Sequence, residues 1–136
     1  MKFKFLSHTA DIKFRAYGKS IEEVCENSAY AVISAICGEK IKNKKKIKIK
    51  VSGRDILSLL YNFLEEVLFL ADSRSFFVSK VVNIKIDKKK FKLSAEFIGD
   101  YGKNYKTYSH IKAVTYNDMF LKKEKGMWVA QVVLDV

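Results

Sequence analysis

Proline is absent from this 136-residue chain, cysteine and histidine occur twice each, and glycine only six times. Without proline and without a Gly/Ser-rich stretch nothing reads as a linker, and the length suits one domain whose core needs no disulfide or structural metal. Cys25 and Cys37 fall in one expected helix, about 18 Å apart along its axis, too far to bridge. No CxxC pair exists for a zinc site, so both cysteines read as small apolar core residues in a reducing compartment. No apolar run approaches the roughly 18 residues of a membrane span. The start "MKFKFL" turns polar too soon for a secretory signal, so a cytoplasmic protein without membrane attachment is expected. The scattered glycines form neither a phosphate-cradling loop nor a dinucleotide fingerprint. His8 and His110 stand in no context that identifies a Ser or Cys nucleophile.

Acidic side chains are also scarce, 15 against 26 Lys and Arg, which leaves a net charge of +11. Segments 20–37 and 55–71, expected to be helices, hold Glu22, Glu23, Glu26, Asp55, Glu65 and Glu66 and no Lys or Arg. All 26 basic residues therefore share the rest of the chain with nine acidic ones. An acidic helical layer and a basic sheet would follow, with a field that steers anionic partners. A lysine-rich surface that merely solvates the protein gives the same counts.

Periodicity supplies the elements. Phe3 to Leu6 starts as a strand, and 11–17 alternates Ile12, Phe14 and Ala16 with Lys13, Arg15 and Tyr17. Ser20 with Glu23 is a capping-box signature for the first helix, whose apolar stripe includes Ile21, Val24, Cys25, Ser28, Val32, Ala35 and Ile36, and Gly38 is its expected stop. Residues 46–51, "KIKIKV", alternate lysine with Ile47, Ile49 and Val51. Asp55 caps a second helix with a wide stripe of Leu59, Leu60, Phe63, Leu64, Val67 and Leu68. Strands are expected at 80–86 and 91–97 around the "DKKK" turn, at 110–116, and at 127–136 after a "KKEKG" hairpin. The predicted fold is α+β: a two-layer sandwich with two helices on one face of a mixed β-sheet.

The other sheet face would then expose Lys13, Arg15, Lys46, Lys48, Lys50, Lys85, Lys92 and Lys112 as one basic wall. Tyr17 and Tyr116 are placed to stack bases or simply to cover the sheet. A nucleic-acid-binding module using this wall is one functional reading, although no RRM aromatic signature or KH-type GXXG loop accompanies it. The stretch "SHTADI" (7–12) offers another. Asp11 begins an early strand, and Asp135 ends the last one beside the terminal carboxylate of Val136. If those strands are antiparallel neighbours the carboxylates converge, and their mutual repulsion calls for a cation. Oxygen donors without Cys or a His pair suit Ca, Mg or Mn rather than Zn. If they are not neighbours, Asp11 caps a turn and Asp135 is solvated. A metal-dependent phosphodiesterase would also need a base or nucleophile beside the ligands, and none is evident.

Five motifs, "HTADI" (8–12), "SIEEVCENSAYAV" (20–32), "LLYNFLEEVLFLAD" (59–72), "IKAVTYN" (111–117) and "GMWVAQVVLDV" (126–136), resemble in content and order the archease family. The resemblance runs nearly end to end. It implies a small two-layer α+β protein that is not itself an enzyme. Such a protein serves as cofactor to the RtcB-type ligase of tRNA splicing, promoting guanylylation of the ligase and its multiple turnover. It also implies a divalent metal site, Ca foremost with Mg or Mn as alternatives, at Asp11, Asp135 and Val136. His8, Lys112, Thr115 and Tyr116 fall in motif positions and are implied in partner contact or activation. Lys13, Arg15, Lys46, Lys48 and Lys50 would face tRNA, other RNA or the ligase. His8 and Thr9 are expected to orient Asp11 by hydrogen bonding, with Ser7 in a turn. Two departures stand out. Asn117 follows Thr115-Tyr116 where the family usually has His, and "GDYGKNYKTYSH" (99–110) lacks the usual "GEPxD" and Arg-His pattern.

Overall fold

The computed structural model describes residues 1–8, 10–108 and 110–136. The elements are β1 (Phe3–Leu6), β2 (Ile12–Gly18), α1 (Ile21–Ile36), β3 (Lys45–Ser52), α2 (Ile56–Arg74), β4 (Phe76–Asp87), β5 (Lys92–Tyr101), a 3-10 turn at Gly102–Asn104, β6 (Ala113–Glu124) and β7 (Met127–Asp135). The α+β sandwich is as expected, but the strands form two antiparallel sheets in place of one mixed sheet, in the orders β1-β2-β7-β6 and β3-β5-β4. The reason is topological. The β3-α2-β4 crossover leaves β3 and β4 pointing the same way, and β5 then inserts between them, so each hydrogen-bonded neighbour is antiparallel. Both helices pack against strands of both sheets and so join them.

Local chemistry fixes the helix ends. Ser20 Oγ accepts from Glu23 N at 3.1 Å, while the Glu23 carboxylate reaches back one residue further than a full capping box, to Lys19 N. Asp55 makes the complete box: its carboxylate accepts from Ser58 N at 2.7 Å, and Ser58 Oγ accepts from Asp55 N at 3.1 Å. Helix α2 runs three residues past the expected end and stops at Ser75 in a left-handed conformation (φ 50°). The helical layer thus includes Arg74 and is not purely acidic.

Gly38 does not stop α1 by a left-handed turn. Cys37 turns extended and bridges Thr107, and a Cβ on Gly38 would run into the Tyr108 ring and hydroxyl, so glycine is there for close approach. The "KKEKG" hairpin is as expected: Lys125 and Gly126 both have positive φ between the paired Glu124 and Met127, the geometry of a type I′ turn.

The core is built from Phe14 on β2, Phe63 on α2 and Phe97 on β5, with Leu59, Leu60 and Leu64 along α2. Phe63 and Phe97 meet edge to face at 5.6 Å between ring centres. Cys25 and Cys37 are free and buried, and burial pushes the Cys25 thiol up to about 12, which makes it inert. Ser28 is fully buried within the apolar stripe.

The turn after β5, residues 100–105, is fixed by Asp100. This buried carboxylate accepts from Tyr105 Oη at 2.7 Å and from Tyr101 N at 2.8 Å, and Tyr105 Oη in turn accepts from Lys42 N at 3.0 Å. The Tyr105 hydrogen bond first, then the Tyr101 N–H, holds the Asp100 carboxyl below the usual carboxylate range. Its contribution to stability is therefore complete above the unfolded value of about 3.9 and is lost as pH falls through the lower folded value. Asp100→Asn is expected to lower the melting temperature at pH 7 and to flatten its dependence on pH between 5 and 2, read by thermal denaturation across that range. An unchanged acid limb would contradict this role.

Candidate functional site

Strands β2 and β7 are antiparallel neighbours with Ile12 opposite Leu134. Asp11 immediately precedes Ile12 and Asp135 immediately follows Leu134, so both residues belong to the same end of the β2–β7 pair, with Val136 next to Asp135. On the other side of β7, Ala113 pairs with Asp135 and Lys112 N donates to the Asp135 carbonyl at 2.8 Å. Asp11, Lys112, Ala113, Asp135 and Val136, remote in sequence, thus lie at one end of the four-stranded sheet.

His8 Nδ1 lies 3.9 Å from an Asp11 carboxylate oxygen, too far for a hydrogen bond, and this buried nitrogen has no partner among the described residues. Both side chains are about a quarter exposed, at 22% and 30%. Ser7 is exposed, and Thr9 lies outside the described residues. The donors fit a hard divalent cation. Carboxylate oxygens, as on Asp11 and Asp135, are the usual ligands of such an ion, whereas zinc favours thiolate and imidazole donors. Among the described residues no three His, Cys, Asp or Glu side chains converge to ligate one ion.

Of the residues implied in partner contact, Lys112 is exposed at this mouth. Thr115 pairs with Val133 two residues away, and its hydroxyl donates to the Val133 carbonyl at 3.0 Å and accepts from Asn117 N at 3.3 Å. The Tyr116 ring lies flat on Tyr61 of α2, 4.2 Å between centres and 6° between planes, and remains half-exposed. The basic wall, by contrast, does not form as one surface. Lys13 and Arg15 lie on the four-stranded sheet, where Lys13 Nζ is 3.7 Å from Asp118 and Arg15 Nε donates to Gln131 Oε1 at 2.9 Å beneath the Phe120 ring. Their charges are engaged and partly buried, which removes them from the expected surface. Lys46, Lys48, Lys50, Lys85 and Lys92 belong to the other sheet, and Lys112 to the carboxylate mouth.

Sequence reasoning missed the link between Lys13, Arg15 and β6. Between Thr115 and Phe120 the β6 ladder shifts register, and Asp118 there adopts φ 54°. Gln131 Nε2 donates to the Asp118 carbonyl at 2.8 Å and so ties this bulge to the centre of the sheet. The signals were a lone polar residue inside "VAQVVL" and an "ND" pair able to take positive φ. A hollow of about 750 Å³ opens elsewhere, between Lys2–Phe3, α1 and β4, and its Tyr30 hydroxyl is already engaged with Glu26 and Val81 N. Among the described residues no helix is long and apolar enough to cross a membrane.

These features define a class: an α+β sandwich whose chemistry-bearing groups are carboxylates at a strand mouth. Comparison with known proteins carries this further. The model of the Archease protein family (MTH1598/TM1083) matches residues 3–136. Protein archease of Methanosarcina mazei is 38% identical over 140 residues, covering 99% of this chain and 96% of its own, and that of Pyrococcus abyssi is 38% identical over 141 residues, covering 99% of both. The solution structure of Methanobacterium thermoautotrophicum protein 1598 superposes with a TM-score of 0.83 at 31% identity, covering 99% of each chain. A Thermotoga maritima crystal structure described as "an archease, possible chaperone" shares the fold at a TM-score of 0.66 and 20% identity, over 98% of this chain and 96% of its own. The chain belongs to the archease family.

Gln131 is buried and serves both Arg15 and the Asp118 bulge, so Gln131→Ala leaves a guanidinium and a carbonyl without partners. The substitution is expected to cost about 1–3 kcal/mol in urea denaturation, and a loss below 0.5 kcal/mol would show that water replaces both bonds.

Proposed function

We propose that the chain is a non-enzymatic activator of an RtcB-type RNA-splicing ligase, promoting its guanylylation by GTP and its repeated turnover in tRNA splicing in the cytoplasm. One observation carries the reading: the β2–β7 register, with Ile12 opposite Leu134, brings Asp11 and Asp135 to the same end of the sheet. Family membership gives that pair its context. Asp11, Asp135 and the main-chain oxygen of Val136 would hold the divalent cation. Calcium suits an all-oxygen set best, with Mg or Mn as alternatives. A bound cation supplies charge neutralisation between the carboxylates and a Lewis-acidic centre.

The incompleteness of the shell favours work at an interface. Calcium takes about 6–8 oxygen ligands and this mouth presents fewer, so positions remain for groups of a docked partner. His8 Nδ1, without a partner among the described residues and 3.9 Å from Asp11, is available to a group of the ligase, and exposed Lys112 to an acidic one. The half-exposed Tyr116, stacked rigidly on Tyr61, suits a flat contact at small entropic cost. Thr115 keeps the β6–β7 spacing through its bond to Val133.

The test follows covalent guanylylation of the cognate ligase with GTP and divalent metal, with and without this protein. Acceleration is expected from the native chain. Asp11→Ala and Asp135→Ala are each expected to lose at least tenfold of it while keeping native circular dichroism. Absence of acceleration by the native chain would sink the ligase reading, and full activity of both variants would remove the carboxylates from it.

A further inference from the structure

The three-stranded sheet carries one face that neither the core nor the carboxylate mouth uses. On β3, Lys46, Lys48 and Lys50 point to the side opposite buried Ile49, and across the sheet Lys48 pairs with Glu96, Lys50 with Ser94 and Ser52 with Lys92. Strand β4 adds two more lysines through an irregularity. Lys80 pairs with Ile98 and Lys85 with Ser94, and the register shift between Val82 and Lys85, with Asn83 at φ 53°, puts both on this same face although their spacing is odd. Six exposed lysines thus crown one sheet face, with successive ones on β3 about 6.7 Å apart.

The carboxylates on this face are already committed. Glu96 lies 3.5 Å from Lys46 Nζ and accepts from Asn83 Nδ2 at 3.1 Å. Asp87 accepts from Lys89 N and Lys90 N in its own turn. Among the described residues no carboxylate lies within 4.0 Å of the ammonium of Lys48, Lys50, Lys80, Lys85 or Lys92. Two adjoining hollows of about 470 and 570 Å³ run across the middle of the sheet between Lys48 and Lys50 on one side and Lys85 on the other. A groove flanked by unneutralised lysines attracts a linear polyanion.

The composition of the face selects the kind of polyanion. Its floor is Val82, Ser94, Glu96 and Ile98, with no aromatic ring and no arginine. Protein interfaces centre on aromatic and Arg anchors and are depleted in lysine. Membrane-surface elements need apolar side chains to bury among lipid. Neither description fits. Lysine point charges without rings are contacts for phosphates, and the absence of rings excludes base stacking.

We propose that Lys48, Lys50, Lys80, Lys85 and Lys92 bind the sugar–phosphate backbone of a single nucleic-acid strand without reading its bases. Five phosphate contacts give a salt slope of about −3.5 at the single-strand value of about −0.7 per contact, roughly a 100-fold loss of affinity between 50 and 200 mM salt. RNA and DNA strands of one sequence bind alike, since nothing on the face reads the 2′-hydroxyl. The surface is independent of the ligase reading, and Asp11→Ala leaves it unchanged.

Fluorescence anisotropy with a labelled RNA strand and its DNA equivalent tests this on the full chain. The triple variant Lys48→Glu, Lys50→Glu, Lys85→Glu and its Lys→Gln counterpart are expected to lose at least tenfold in affinity. In the Gln variant the slope falls to about −1.4. Charge reversal at Lys4, Lys123 and Lys125, equal in net charge and outside this face, changes affinity less than threefold. No binding by the native chain, or equal losses in both reversal sets, overturns the proposal. So does a face variant that keeps RNA binding but loses association with the ligase, which would make the face a protein dock.

Discussion

The antiparallel pairing of β2 with β7 is the constraint on which both the core and the candidate site depend. Its register puts Phe14 opposite Val132 and Ala16 opposite Ala130 on the helix side, with Lys13 and Arg15 on the other. A slip of one residue would turn Lys13 and Arg15 into the core and Phe14 into solvent, so burial specifies the register strongly. The same register brings Asp11, just before Ile12, and Asp135, just after Leu134, to one end of the pair. Like charges held together cost free energy, and here the cost is met by a core that cannot be satisfied in any other alignment.

What could be read from the sequence was whatever is local. Alternation of lysine with Ile47, Ile49 and Val51 named β3 and its wet face, Asp55 and the leucine stripe named α2, and "KKEKG" named the last hairpin. The pairing of Asp11 with Asp135 was conditional on sheet adjacency, which no local pattern encodes, and the motifs shared with archeases made it a definite expectation. The division into two sheets was not legible for the same reason: insertion of β5 between β3 and β4 is decided by the whole topology. Helix α1 misled at its end, where glycine usually signals a left-handed stop and Gly38 instead makes room for Tyr108.

Irregular strands hid the rest. Period-two reading puts Lys80 and Lys85 on opposite faces, and the shift near Asn83 reverses that parity. On β6 the break between Thr115 and Phe120 does the same and brings Asp118 to Lys13. Both breaks sit at Asn or Asp with positive φ, residues that tolerate that conformation. Charge is consequently organised by place: carboxylates at the β2–β7 mouth, engaged cations on the back of the four-stranded sheet, and unpaired lysines on the three-stranded one.

The central claim is that Asp11, Lys112, Ala113, Asp135 and Val136 form one cation-holding mouth. Titration of the isotope-labelled protein with Mn tests it most directly, because a paramagnetic ion broadens the amide signals around its site. The account predicts that signals of Ala10, Asp11, Lys112, Ala113, Asp135 and Val136 broaden together at the lowest Mn concentration, and that Asp11→Ala abolishes the effect. Broadening confined to one of these segments, or first appearing near Asp55 or Asp87, would contradict it.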